Sequence, residues 1–416
     1  MKHSEPQSKA GVNMFNKKIA RAGIAWLLAV LFIFLFAGCS PGEVEVTDVL
    51  PQYDGGILSN LRIAGKNAEI KEPERKSRYY LSLNDVEKRL YDAAYTTLSA
   101  NETSFKLIGI DIGSFAAAYR STLAHFINDY PEFFWLNGYI EYETVRSSNS
   151  DTGHITITFG VYDYWLDHDL EKAKTELQNA LDAVVLQANA LPDDYQKAKF
   201  VHDYIISTNS YDFAAYELGT AINEETDARV SSAYGALVSG DIMCAGYANA
   251  FDLVMHELGY ESIFVSGEAD GGSHAWNLVL LGDNFYHIDL TWDDLDGDHA
   301  EVRYNYFCLS DEEISKTHKI DEGFDYPEAI ATEYNYFVKE EMLLDYYSFA
   351  AVTKLAKKYN GEGIFAFKCY DAKVMADAVE ELVQNNMIFK LAGFENVESF
   401  QYIADEDTNI LSFYIE

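Results

Sequence analysis

The sequence predicts an α+β protein of several domains: a helical N-terminal region with a β-hairpin, a core in which a cysteine-bearing helix packs on an antiparallel sheet bearing a histidine and an aspartate, and a small C-terminal α+β domain. Three observations carry this. At 416 residues the chain exceeds one domain of the usual ~100–200 residues. Helical periodicity dominates residues 79–207, while strand-like stretches recur at 139–162 and 273–293. From about Asn335 the order is strand, helix, strand, helix, hairpin. The composition suits packed cores rather than a disordered chain, with 48% hydrophobic residues, 30 Tyr, 25 Phe and only 7 Pro.

Residues 1–38 read as a signal peptide. Lys17, Lys18 and Arg21 precede the uncharged apolar run Ala22–Gly38, in the order of a secretory signal: positive flank, apolar stretch, small residues. The run ends at Ala37-Gly38-Cys39-Ser40, which resembles a bacterial lipoprotein box. The resemblance implies that Cys39 is lipidated and becomes the mature N-terminus. Phe36 departs from the aliphatic residue usual in that box, and Met14 offers an alternative start with a more ordinary signal length. An uncleaved membrane anchor is the competing reading, which a run of about 17 residues barely allows. In both cases the body lies outside the cytoplasm, attached to a membrane only through its anchor.

The formal net charge of −36 repels phosphate backbones and anionic headgroups, which disfavours nucleic acid as a partner and electrostatic membrane binding. Four cysteines are too few for a disulfide-dense scaffold. Whether Cys308 and Cys369 pair stays open. No CxxC or Cys/His cluster has metal-ligand spacing, so no metal and no cofactor is expected.

Each segment follows from local pattern. Residues 39–76 are polar, punctuated by Pro51, Gly55 and Gly56, and read as a tether. Residues 77–192 form the helical N-terminal domain. Its helix Ser82–Leu98 starts on the cap material Ser82-Leu83-Asn84-Asp85, and a second helix covers Ile112–Asp129. Strands Tyr139–Val145 and His154–Tyr162 flank a turn-rich loop; Ile155, Ile157 and Phe159 alternate with Thr156 and Thr158, so one face is buried. In Asp169–Ala190 one helical face carries Ala173, Leu177, Leu181, Val184 and Val185, and Pro192 ends it. The core, 193–325, opens with a helix over Asp194–Ser207. Residues 335–416 form the C-terminal domain, which holds no catalytic constellation.

Within the core, Ala248, Phe251, Met255 and Leu258 follow Cys244 at helical spacing, and Gly259 is a natural stop. Cys244 therefore starts a helix, where free N–H groups and the helix dipole favour thiolate over thiol. Ser273–Leu280 and Phe285–Asp293 read as strands joined at Gly282-Asp283-Asn284. With Gly282 and Asp283 as the loop, Asp289 lies diagonal to His274 on one face, so its carboxylate can accept from one ring nitrogen while the other faces the sulfur. His287 reads as structural, and His202 and His256 as packing or surface residues. The acidic run 293–298 would put Trp292 and Arg303 where an EF-hand needs Asp and Glu, so it reads as a solvated loop.

The set Cys244-Ala245-Gly246-Tyr247-Ala248, Ser273-His274-Ala275-Trp276-Asn277 and Ile288-Asp289-Leu290-Thr291-Trp292-Asp293-Asp294 resembles the bacterial transglutaminase-like superfamily, with its papain-like Cys-His-Asp triad. His274 follows Cys244 by 30 residues, far closer than the roughly 130–150 of papain-type proteases proper. Flanking residues extend the likeness: Ala233–Val238, Tyr211-Asp212, Tyr306-Phe307 and His318, with Asp129–Trp135 similar to a segment that precedes this domain in surface proteins of Firmicutes. The resemblance implies a papain/transglutaminase-like core in which Cys244 attacks an amide carbonyl, His274 relays the proton and Asp289 orients the imidazole. It also implies an oxyanion site at the Cys244 N–H, for which Tyr234 is the expected second donor, and a cleft walled by Trp276 and Trp292. Two functions remain: thiol-dependent acyl transfer or hydrolysis on protein or peptidoglycan peptide amides at the cell surface, or a noncatalytic scaffold for binding or assembly.

Overall fold

The computed structural model describes residues 44–47, 61–147, 151–218, 228–294, 302–322, 325–359, 363–394 and 397–415. The signal region, Cys39 and residues 40–43 and 48–60 of the expected tether lie outside them. The described chain divides into two compact units: residues up to Ser266 with Ser273–Asn277, and Gly267–Gly272 with everything from Leu278 onward. Among the described residues no helix is long and apolar enough to cross a membrane.

In chain order the first unit begins with strands β1 (Val44–Thr47), β2 (Leu61–Ile63) and β3 (Lys66–Ala68), helix α1 (Asp85–Ser99), strand β4 (Ser104–Asp111), helix α2 (Ile112–Asp129) and strands β5 (Leu136–Ser147) and β6 (Thr152–Val161). The strands form one sheet in the order β1-β5-β6-β4-β2-β3. Asn84 caps α1 in a reciprocal capping box with Glu87, as its cap-rich start predicts. The expected hairpin is β5–β6, and Ile155, Ile157 and Phe159 are buried. Contacts of Phe126 with Tyr91 and Phe159, and of Phe105 with Phe159, tie α1 and α2 to the sheet.

Two expectations need correction. The tether does not run to residue 76, because Leu61–Ala68 is a hairpin within the sheet and Leu61 is fully buried. Its turn places Ala64 and Gly65 at φ of 48° and 75°, the left-handed pair of a tight hairpin. The N-terminal domain is also not mainly helical with one hairpin: β4 joins β6 to β2, carried by the alternating Phe105, Leu107 and Ile110.

Helices α3 (Leu170–Asn189) and α4 (Asp194–Thr208) follow, capped by Asp169 and Asp193. Of the predicted face of α3, Ala173, Leu177, Leu181 and Val184 are buried and Val185 is half-buried. A short parallel pair, β7 (Ser210–Tyr211) with β8 (Asp241–Ile242), leads into α5 (Cys244–Glu257), which packs on α3 and α4.

Strands β9 (Ser262–Ala269) and β10 (Gly272–Leu281) contribute residues to both units. The second unit continues with β11 (Asn284–Ile288), a helical turn over Leu290–Asp293, β12 (Phe307–Leu309) and β13 (His318–Ile320), in a sheet of order β12-β11-β10-β9-β13. Gly282, at φ 60°, opens the two-residue turn between β10 and β11. β11 ends at Ile288 rather than Asp293, because the Asp289 side chain accepts from the Thr291 and Trp292 amides and starts the helical turn.

In the C-terminal part Tyr336–Lys339 is a helical turn where a strand is expected from about Asn335, and the later elements follow in the expected order. β14 (Leu343–Leu344), α6 (Phe349–Ala356), β15 (Ile364–Cys369), α7 (Ala372–Val379), β16 (Phe400–Asp405) and β17 (Ile410–Ile415) build a sheet of order β14-β15-β17-β16. Its apolar core includes Phe337, Phe365, Phe367, Leu382 and Phe413.

Candidate active site

Cys244 is the first residue of α5, and its predecessor Met243 provides no side-chain cap. The approach is fixed by main chain: the Asp212 amide donates to Ile242 O at 2.9 Å, and the Met243 amide to Val230 O at 2.7 Å. Gly246 follows from this. A Cβ there would stand 2.5 Å from Val230 O, so only glycine lets the first turn lie against that backbone. Gly235 meets the same condition, with a would-be Cβ 1.9 Å from Arg229 O.

The start of β10 belongs to the same unit. Ala275, next to His274, shares a buried cluster with Cys244, Ala248 and Phe264. Two residues further, Asn277 donates from Nδ2 to Ala248 O at 3.0 Å and to Asp252 Oδ1 at 2.8 Å, both on α5. Asp252 also accepts from the Ser262 hydroxyl on β9, and His256 Nε2 lies 2.7 Å from Ser262 O. This network sets the register of the histidine strand against the cysteine helix. Full burial pushes the Asp252 carboxyl up to about 7, against the pull of Ser262 and Asn277, and burial pushes the packed His256 imidazole down to about 3. Cys244 and His274 retain 7% and 6% exposure, enough for an edge of each to meet solvent.

In the second unit Asp289 is fully buried. Its Oδ1 accepts from the Thr291 and Trp292 amides at 3.0 and 3.3 Å, and its Oδ2 from His318 Nε2 at 3.0 Å. The Asp289 amide donates to Tyr306 O at 3.0 Å. Asp293 is fully buried and accepts the Tyr306 amide, so it braces this loop and is not part of a solvated run; 295–298 lie outside the described residues. His287 pairs with Asp311 at 2.9 Å. Burial would raise the Asp311 carboxyl, but His287 and the Ala329 amide hold it below its usual range. His202 is fully buried and His256 packs against Ser262, both as expected.

The three accessory residues occupy other roles than those expected. The Tyr234 hydroxyl donates to Glu176 at 3.1 Å rather than standing free as an oxyanion donor, and burial beside that carboxylate pushes it up to about 12. Its ring stacks on Phe134 and meets Trp165 edge-on, which gives Asp129–Trp135 its purpose: that aromatic segment supports the loop before Cys244. Trp276 is only 1% exposed and stacks beside His274, so it packs behind the imidazole rather than walling a cleft. Trp292 is half-buried and packs on Tyr306 and His318.

Cys308 and Cys369 are free and buried. Cys308 sits at a bulge between β11 and β12 with φ 59°, and burial raises its thiol well above the ordinary value. Burial pushes Cys369 up to about 12. Neither thiol has the setting of a nucleophile. Sequence reasoning gave no role to Asp252, Asn277 or His318. A signal existed for Asp252, an acid inside the apolar stretch Phe251–Met255, and His318 stands among the residues that extend the family likeness, though with no role attached.

Residues 184–290 match the transglutaminase-like superfamily, a span that includes Cys244, His274 and Asp289 and stops short of His318. A solved structure described as a TGase is 13% identical, covering 39% of this chain and 54% of its own, with a TM-score of 0.27. A candidate cysteine protease from Cytophaga hutchinsonii is 15% identical, covering 36% of this chain and 62% of its own, with a TM-score of 0.23. A candidate protease from Parabacteroides distasonis is 8% identical, covering 36% and 39%, with a TM-score of 0.21. The chain thus spans about half the length of the TGase it matches. No curated protein matches it.

Proposed function

From this transglutaminase-like core we propose that the protein is a thiol-dependent acyltransferase or hydrolase acting on protein or peptidoglycan peptide amides through Cys244, His274 and Asp289. The observation that carries the reading is the placement of Cys244 at a helix start with no side-chain cap, clustered with Ala275 of the histidine strand. A helix N-terminus presents main-chain N–H groups that no carbonyl of the helix accepts. Sulfur attacks the amide carbonyl carbon, forming a C–S bond, while the Cys244 N–H stabilises the oxyanion. The C–N bond breaks as the His274 imidazolium gives its proton to the leaving amine. Water or a second amine then attacks the thioester, passes its proton to His274 and releases the sulfur. Asp289 holds the imidazole in the required orientation. We further propose that the body works on the outer face of a membrane, held by lipid on Cys39.

Iodoacetamide at mildly acidic pH tests the thiol. Fast, saturable labelling of Cys244 that is lost in His274→Ala is expected, with Cys308 and Cys369 unlabelled. Slow labelling indifferent to that substitution would leave a noncatalytic scaffold. A mass-spectrometric screen of glutamine peptides with amine probes, alongside peptidoglycan stem peptides, separates transamidation from cleavage: incorporated amine marks the first, a shortened product without it the second.

A further inference from the structure

We propose that His318 is a positioning residue of this site: its Nε2–H anchors the second oxygen of Asp289, so that the carboxylate is held from both sides. The inference rests on the triad reading above. A carboxylate has about four lone-pair positions. At Asp289 two are taken on Oδ1 by the Thr291 and Trp292 amides and one on Oδ2 by His318. With one oxygen fixed to main chain and the other to an imidazole, the group cannot swing.

His318 is itself well held. Its side chain and that of Asp289 are both fully buried. Nδ1 lies 2.8 Å from Thr317 Oγ1, and the ring packs on Trp292 and Tyr306 with centroids 4.6 and 5.5 Å away. His318 opens β13 and pairs in register with Ala269 of β9, so the backbone beneath the ring is part of a sheet. An ionised carboxylate only accepts, so the 3.0 Å contact requires the proton on Nε2, leaving Nδ1 to meet the Thr317 hydroxyl. Trp292, expected to wall the cleft, thereby has a part in the same device: its amide binds Asp289 while its indole packs on the histidine that binds the other oxygen.

The test uses the full chain with His318→Phe, which keeps a ring but removes the donor, and His318→Gln, whose amide can restore it. Alkylation of Cys244 by iodoacetamide is expected to slow roughly tenfold or more in His318→Phe and to recover most of that in His318→Gln. Thermal unfolding would be measured on both, so that lost activity is compared at equal folding. Equal labelling in the parent and a folded His318→Phe overturns the proposal, as does an equal loss in both folded variants. If the Phe variant does not fold, ¹⁵N shifts of the parent's histidines decide: a proton on Nε2 of His318 supports the assignment, and one on Nδ1 alone overturns it. Failure of the triad itself looks different, because His274→Ala would then leave the parent's labelling rate unchanged.

Discussion

Asp252 and Asp289 are both fully buried, yet their surroundings give them opposite work. Around Asp252, in the first unit, two side-chain donors reach Oδ1 and none reaches Oδ2, and burial pushes the carboxyl up to about 7. Around Asp289, in the second unit, donors meet both oxygens, and two of them are main-chain amides. The contrast teaches that burial alone does not set a carboxyl's role; the number and kind of donors do. Asp252 serves as a hub joining helix, strand and β9, while Asp289 is a fixed acceptor.

The largest expected effect separates the two directly. Asp289→Asn keeps an oxygen for the Thr291 and Trp292 amides and so the helical cap, but presents an amide where His318 needs an acceptor, as does His274 in the proposed triad. Cys244-dependent turnover should fall on the order of 10³–10⁴-fold with little change in unfolding temperature. Asp252→Asn should stay within about threefold of the parent in the same assay. Equal losses in both would erase the distinction.

Next comes Asn277→Ala, which strips a donor from Ala248 O and from Asp252. Denaturant unfolding should show a loss of about 2–4 kcal/mol, with turnover reduced because the histidine strand loses its register on α5. Gly246→Ala should cost about 1–3 kcal/mol, since its Cβ would collide with rigid backbone at Val230. That variant tests the helix start without touching either carboxylate.

The smallest effect per step is in pH. Asp252 holds its proton in the folded state up to about 7 but loses it near 4 when unfolded, so its contribution to stability declines as pH rises through that window. His256 runs the other way: held neutral down to about 3, it costs stability as pH falls below its ordinary value near 6.5. Between about pH 4 and 6.5 the two slopes, each about 1.4 kcal/mol per pH unit, oppose one another. Asp252→Asn should expose the histidine slope, with stability falling on acidification, and His256→Gln the reverse. Chemical unfolding at several pH values would show it; a flat profile in both variants would remove the protonation contrast.

Much of this was legible in the residues. The helix beginning at Cys244, its stop at Gly259, the β5–β6 hairpin, the capped α1 and the order of the C-terminal domain all follow from period, cap and turn chemistry, which act over a few residues. The candidate triad follows from the helix start at Cys244, the hairpin register and the resemblance to the transglutaminase-like superfamily. What escaped were short strands: β4 and the β2–β3 hairpin have only three to eight residues, and the pairings that seat them in the sheet, β2 with β4 and β4 with β6, join residues distant in sequence. The strand read through Asp293 failed for a similar reason, since an aspartate at a strand end and one capping a helical turn look alike until the Thr291 and Trp292 amides are placed.

By itself the chain determined which local element each candidate residue begins or ends, because helix period, glycine geometry and capping are properties of neighbours. Only tertiary structure decided their supports: Asn277 bridging to Ala248 and Asp252, Tyr234 committed to Glu176, Trp276 buried beside His274, and His318 reaching Asp289 across 29 residues. Those partners are chosen by packing and by the need of buried polar groups for donors, and neither is written in any short stretch of sequence.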